Sequence, residues 1–145
     1  MGKQVWLKEI LMTANLMTRI VLALAGLVAL LIGATLLLDP QSLYAGSGLV
    51  LDGGASQLSE IRAPAGLLVL SGLAVLAGSI WLKWATAALQ LTVLVFLGYG
   101  VGRVASLALD GMPSDSLVMA MLIELGIGVL ALVLLMVRNR SGASA

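Results

Sequence analysis

The chain has 145 residues, 61% of them apolar and a further 17 glycine, and its formal net charge is +1. Soluble domains carry about 25% charged residues; here the share is 10%, too little to give a globule of this size a polar skin. Neither cysteine nor histidine occurs, which excludes thiol exchange, thiolate- or imidazole-ligated metals and Ser-His-Asp or Cys-His catalysis. The near-neutral charge offers no field for nucleic acid.

The composition therefore predicts an integral membrane protein, and the first element precedes the membrane. Residues 1–15 mix Trp6 and Ile10 with Lys3, Lys8 and Glu9, a pattern for a short interfacial helix or a helical extension on the inner surface. Docking of a cytoplasmic partner is the alternative. The first apolar stretch runs over 20–38 and stops at Asp39-Pro40. It exceeds the 7–15 residues of a secretory h-region, so it is read as a membrane helix that stays with the protein.

Three further stretches follow, over 65–82, 85–109 and 117–137. Each is close to the ~20 residues that cross a hydrocarbon core. A backbone there has no water to bond, so each must be helical, and none shows the alternation of a barrel strand. The predicted helices cover 16–38, 64–82, 85–109 and 116–137, with Pro64 opening the second in its first turn. The first connection, from Asp39 to Arg62, is longer than the ~12–15 residues usual for an unstructured loop and is rich in Gly and Ser. It is expected to fold over the outer mouth of the bundle, with a short helical turn near Leu49–Leu51, although a passive connection remains the alternative. The other two connections, around Lys83 and from Asp110 to Asp115, are tight. Ser141 to Ala145 reads as a frayed tail.

Lys3, Lys8, Arg19, Lys83, Arg138 and Arg140 fall at one end of this arrangement, leaving Arg62 and Arg103 toward the other. The positive-inside rule then places both termini in the cytoplasm, with Trp81 and Trp84 at the inner turn as interfacial aromatics. The fold class is an all-α, single-domain, integral membrane four-helix bundle with a longer outer loop between helices 1 and 2. The implied location is a bacterial inner membrane, crossed several times.

Two charges lie inside apolar spans, Arg103 and Glu124, where an isolated charge costs about 2.5–3.5 kcal/mol to insert. Arg103 is roughly 9 Å below the outer end of its helix and Glu124 roughly 10 Å below the start of the next. Antiparallel neighbours bring them to one level, where an ion pair spares both. Ser106 and Asp110 share a helix face with Arg103; Tyr99 lies one turn below it, and Glu60 and Arg62 open the second helix. The candidate binding site is Glu60, Arg62, Tyr99, Arg103, Ser106, Asp110 and Glu124, with no catalytic residue and no metal ligand assigned. Arg62 and Arg103 would contact an anion, Glu60 and Asp110 would hold them, and Glu124 would set the charge. Against this stands a purely structural reading, in which the charges neutralise one another and arginines cap helix ends. Gly98, Gly102 and Ser106, at four-residue spacing, are expected to pack inside the protomer, as are Ala74-Gly78 and Ala29-Gly33.

The motif Ser59-Glu60-Ile61-Arg62-Ala63 with Gly66, the run Gly102-Arg103-Val104-Ala105-Ser106 with Asp110-Gly111 and Pro113, and Glu124 with Gly128 resemble the small bacterial membrane proteins of the domain of unknown function 4345 family. The resemblance spans nearly the whole chain and implies a four-helix bacterial membrane protein, without an activity. The functional expectation is a non-enzymatic ligand- or lipid-binding protein, or an accessory subunit of a membrane complex, with a periplasm-facing polar cluster. Membrane lipids are the expected partners, with a larger membrane complex or a homo-oligomer as further ones, and no cofactor is expected. The alternatives are proton-coupled transport of a small solute by an oligomer, with Glu124 as proton carrier, and a lipid- or quinone-modifying enzyme.

Overall fold

The structure, a computed structural model, describes residues 2–142, with side chains placed at Trp6, Glu9 and residues 12–140. The first helix, α1, runs over Gly2–Leu38. At 1.5 Å per residue it is roughly 55 Å long, well beyond what a bilayer core needs. The predicted start at residue 16 is therefore too late: no Gly or Pro occurs between residues 3 and 25, so nothing breaks the helix, and the leading segment is a continuous extension of the span.

The chain turns at Asp39, whose Oδ1 accepts from the Ser42 backbone N–H at 3.2 Å. With Pro40 in the first position, this cap starts a short helix α2, Pro40–Ala45. The helical turn expected near Leu49–Leu51 is found here instead, because the capping chemistry is here. Gly48 and Gly53 adopt positive φ in the remaining connection, which is not helical.

Helix α3 spans Ala55–Ile80 and begins well before the predicted residue 64. Pro64 thus sits inside the helix, where it leaves the Glu60 carbonyl without its intrahelical partner. Both Glu60 and Pro64 are exposed near the end of the bundle, where that carbonyl need not stay dry. A 3₁₀ turn, Leu82–Trp84, leads into α4, Ala85–Asp110, and α5 covers Asp115–Gly142. The rest of the predicted tail lies outside the described residues. Trp81 and Trp84 meet edge to face at 5.3 Å, and Lys83 Nζ lies 5.1 Å from the Trp84 ring centroid.

Four helices, α1, α3, α4 and α5, are long and apolar enough to cross a membrane, and among the described residues there is no strand. They alternate in direction, so both termini share one end of the bundle, the terminal end; α2 and the α4–α5 turn mark the loop end.

Packing is strongest within two pairs, α1 with α3 and α4 with α5. Lipid tails are as apolar as leucine, so close approach rather than the hydrophobic effect drives such pairing. A Cβ on Gly72 would come within 2.7 Å of the Leu30 backbone nitrogen, and one on Gly33 within 2.9 Å of that of Val69. In the other pair the fit is reciprocal: Leu125 fills the space over Gly100 and Leu97 the space over Gly128. The buried Thr18 and Thr92 hydroxyls donate one turn back to the Ala14 and Ala88 carbonyls, each at 2.8 Å.

The pairs join near the terminal end, where Leu22, Ala88 and Leu89 are buried and Gly78 lies against Ala88. They separate toward the loop end. On α4 the last buried residue is Gly100, and on α5 the first is Gly128. At the helical repeat, Tyr99, Gly102 and Ser106 share the face of Ala88, and Pro64 and Leu67 share the face of Gly78. Yet among the described residues nothing lies within 4 Å of a Cβ built on Gly102, and Pro64, Leu67 and Ser106 are exposed.

This corrects the expectation that Gly98, Gly102 and Ser106 pack inside the protomer. All three are exposed, and a Cβ on Gly98 also meets nothing within 4 Å among the described residues. The glycine that receives α5 is Gly100, about 200° around the helix from both. Ala74 is likewise exposed, whereas Ala29 and Gly33 are buried against α3 as expected.

Candidate functional site

Toward the loop end the facing sides of α3 and α4 are exposed, and the open stretch between them forms a cleft. Glu60, Pro64 and Leu67 lie on its α3 side and Tyr99, Gly102 and Ser106 on its α4 side. Arg103 and Glu124 meet on the adjoining α4–α5 seam: Arg103 Nε donates to Glu124 Oε2 at 2.8 Å. They sit about 10 Å and about 13 Å along the axes from the ends of α4 and α5. The Glu124 side chain is 14% exposed and that of Arg103 33%.

The pair is incomplete in one informative respect. A guanidinium has five N–H donors in a planar fork, and a carboxylate ordinarily takes two of them. Here only Nε is engaged; among the described residues neither Nη of Arg103 has a hydrogen-bond partner. The Glu124 charge is matched, while the outer edge of the guanidinium keeps four hydrogens for another acceptor.

Tyr99 is 39% exposed and lies within electrostatic reach of Glu124, Arg103 and the Tyr44 phenol of α2. Tyr44 brings one residue of the first connection within this reach, while Val50 farther along is 94% exposed.

The other predicted residues take different partners. Ser106 Oγ donates to Asp110 Oδ2 at 2.8 Å within α4, so Asp110 restrains a hydroxyl and does not hold Arg103. Arg62 Nε donates to the Leu37 carbonyl at 3.0 Å, capping the end of α1, where a cation is favoured by the helix dipole. Glu60 forms no ion pair among the described residues. Arg103, Glu124 and Tyr99 form one group, Ser106 and Asp110 a neighbouring pair, and Arg62 a helix cap.

A second polar centre, unassigned in the sequence reading, lies at the terminal end. Arg138 Nε donates to Thr86 Oγ1 at 2.9 Å, Nη1 to Asn15 Oδ1 at 3.3 Å and Nη2 to the Leu82 carbonyl at 3.0 Å. One side chain on α5 thus ties α1, the α3–α4 turn and α4. Its position near a helix end reads equally well as an interfacial charge, and its neutral partners leave no charge pattern to detect.

A family model described as Domain of unknown function (DUF4345) matches residues 17–135, which include all four membrane-length helices in whole or in large part. No curated protein and no solved structure matches the chain.

Proposed function

The chain belongs to the domain of unknown function 4345 family, and from that premise we propose that it is a non-enzymatic membrane protein that binds a polar or anionic headgroup in the cleft beside Arg103. The carrying observation is the guanidinium edge that has no acceptor among the described residues, set beside the exposed, facing sides of α3 and α4. In this scheme the two Nη groups take the ligand's oxyanion, Glu124 fixes the guanidinium plane through Nε, Tyr99 supplies a hydroxyl along the α4 wall, and Ser106, whose proton goes to Asp110, can accept from a headgroup hydroxyl. Gly102, with no side chain, leaves room for the ligand to approach that wall. The charge asymmetry supports an orientation with the termini cytoplasmic, which puts the cleft on the periplasmic side of the bacterial inner membrane that the resemblance implies, since six of eight basic residues belong to the terminal half.

The test uses a variant in which the pair is replaced rather than broken. Arg103→Leu/Glu124→Leu removes both charges together, which membrane packing tolerates far better than one bare charge. In native mass spectrometry of the full chain, the double variant is expected to retain one phosphatidylglycerol fewer than the unaltered protein, with diacylglycerol retention unchanged. Equal phosphatidylglycerol retention by the two proteins overturns the reading.

A further inference from the structure

We propose that the terminal end holds a second, separate site: Arg138 binds the phosphate of a membrane phospholipid, one of whose acyl chains lies in the groove between α1 and α5. The inference is independent of the cleft at the loop end and rests on three observations. The first is charge. Arg138 is partly buried and gives three of its N–H groups to a hydroxyl, an amide oxygen and a carbonyl, all neutral. Among the described residues no carboxylate lies within ion-pair distance of it. A cation withdrawn from water without a counter-charge is costly, and two of its five N–H groups remain for an anion.

The second observation is geometry. The three bonds come from three different elements, so the guanidinium is fixed in place before any ligand arrives. A pre-oriented planar fork is the arrangement that matches phosphate oxygens. Arg19, one turn beyond Asn15 on the same face of α1, is exposed and adds a second positive charge to that side.

The third observation says why the phosphate belongs to a lipid. A shallow, open groove of about 370 Å³ lies between α1 and α5, lined by Ala14 and Met17 of α1 and Leu134 of α5, with Thr13 and Glu9 toward the chain start. Its lining is almost entirely apolar. Leu134 is one turn from Arg138 on the same face of α5, so the groove begins beside the stretch of helix that carries the guanidinium. Met17 and Leu134 lie on the membrane side of Arg138, where an acyl chain descends from its phosphate, while Ala14, Thr13 and Glu9 lie toward the chain start. A free phosphate has no use for such a groove, and a diacylglycerol has none for the arginine.

Native mass spectrometry of the full chain titrated with dioleoyl phosphatidylglycerol, with dioleoylglycerol as the phosphate-free probe, separates these cases. Arg138→Gln is expected to lower phospholipid occupancy about tenfold, the loss of one charge-assisted contact, and to leave dioleoylglycerol occupancy unchanged. Met17→Trp fills the groove without touching the clasp and is expected to cause a loss of similar size, so the test stands even where Arg138→Gln does not fold. Arg103→Leu/Glu124→Leu keeps this lipid, which distinguishes the two sites. Unchanged phospholipid occupancy in Met17→Trp or in folded Arg138→Gln overturns the proposal. So does displacement of the lipid by inorganic phosphate at equal concentration, since that outcome marks a site for free anions.

Discussion

At the scale of single residues, Arg103 and Glu124 show how far the cost of burying charge constrains a fold. Each stands in an apolar helix, and the only inexpensive arrangement is to meet; they do, at 2.8 Å. A double-mutant cycle measures the bond. Arg103→Leu strands the Glu124 carboxylate and is expected to destabilise the protein by about 1–3 kcal/mol, most of which the second change, Glu124→Leu, recovers. Unfolding in graded dodecyl sulfate reads this directly, and additive losses would show that the pair does not hold α4 to α5. The pairing was legible because two rare charges at equal depth have few alternatives. The partners of Arg62 and Arg138 were not, since a carbonyl, a hydroxyl and an amide leave no mark in the sequence. Asn15 and Arg138 stand at opposite ends of the chain and meet only once the bundle has closed.

At the scale of helices, glycine spacing tells which residues share a face but not where that face points. Gly98-x-x-x-Gly102 looked like a packing seam and is exposed, while Gly100 and Gly128, which carry no such signature, receive Leu125 and Leu97. The distinction predicts opposite outcomes for one chemical change. Gly72→Ala sets a methyl against the Leu30 backbone, which cannot step aside as a side-chain tip can, and is expected to cost about 1–3 kcal/mol. Gly102→Ala meets nothing and is expected to be neutral or to stabilise α4 by up to about 1 kcal/mol through helix propensity. Thermal unfolding of the two variants in one detergent makes the comparison; equal destabilisation would mean that a further chain or copy covers Gly102. Helix starts were misread for a related reason. Pro64 is a fair sign of a first turn, yet a helix continues through proline where the carbonyl it orphans is exposed.

At the scale of the molecule, the two helix pairs behave as arms joined near the terminal end and parted at the loop end. Four spans could be counted from hydropathy, because each needs its run of apolar residues. Their divergence could not, because a lipid-facing residue and a cleft-facing one are equally apolar or equally small. Solvent access separates them. The chain has no cysteine, so a single introduced thiol reports without background. In sealed proteoliposomes, Gly102→Cys and Ser106→Cys on the cleft wall are expected to react with a membrane-impermeant maleimide supplied on the loop side, and not from the terminal side. Leu94→Cys, 72% exposed in the native side chain but on the outward face of α4, is expected to stay unlabelled, since its surroundings are hydrocarbon and a thiol there does not ionise. Equal silence at Gly102 and Leu94 would mean that lipid fills the space between α3 and α4. The guanidinium of Arg103 would then face acyl chains, and a headgroup could reach its Nη edge only from within the bilayer.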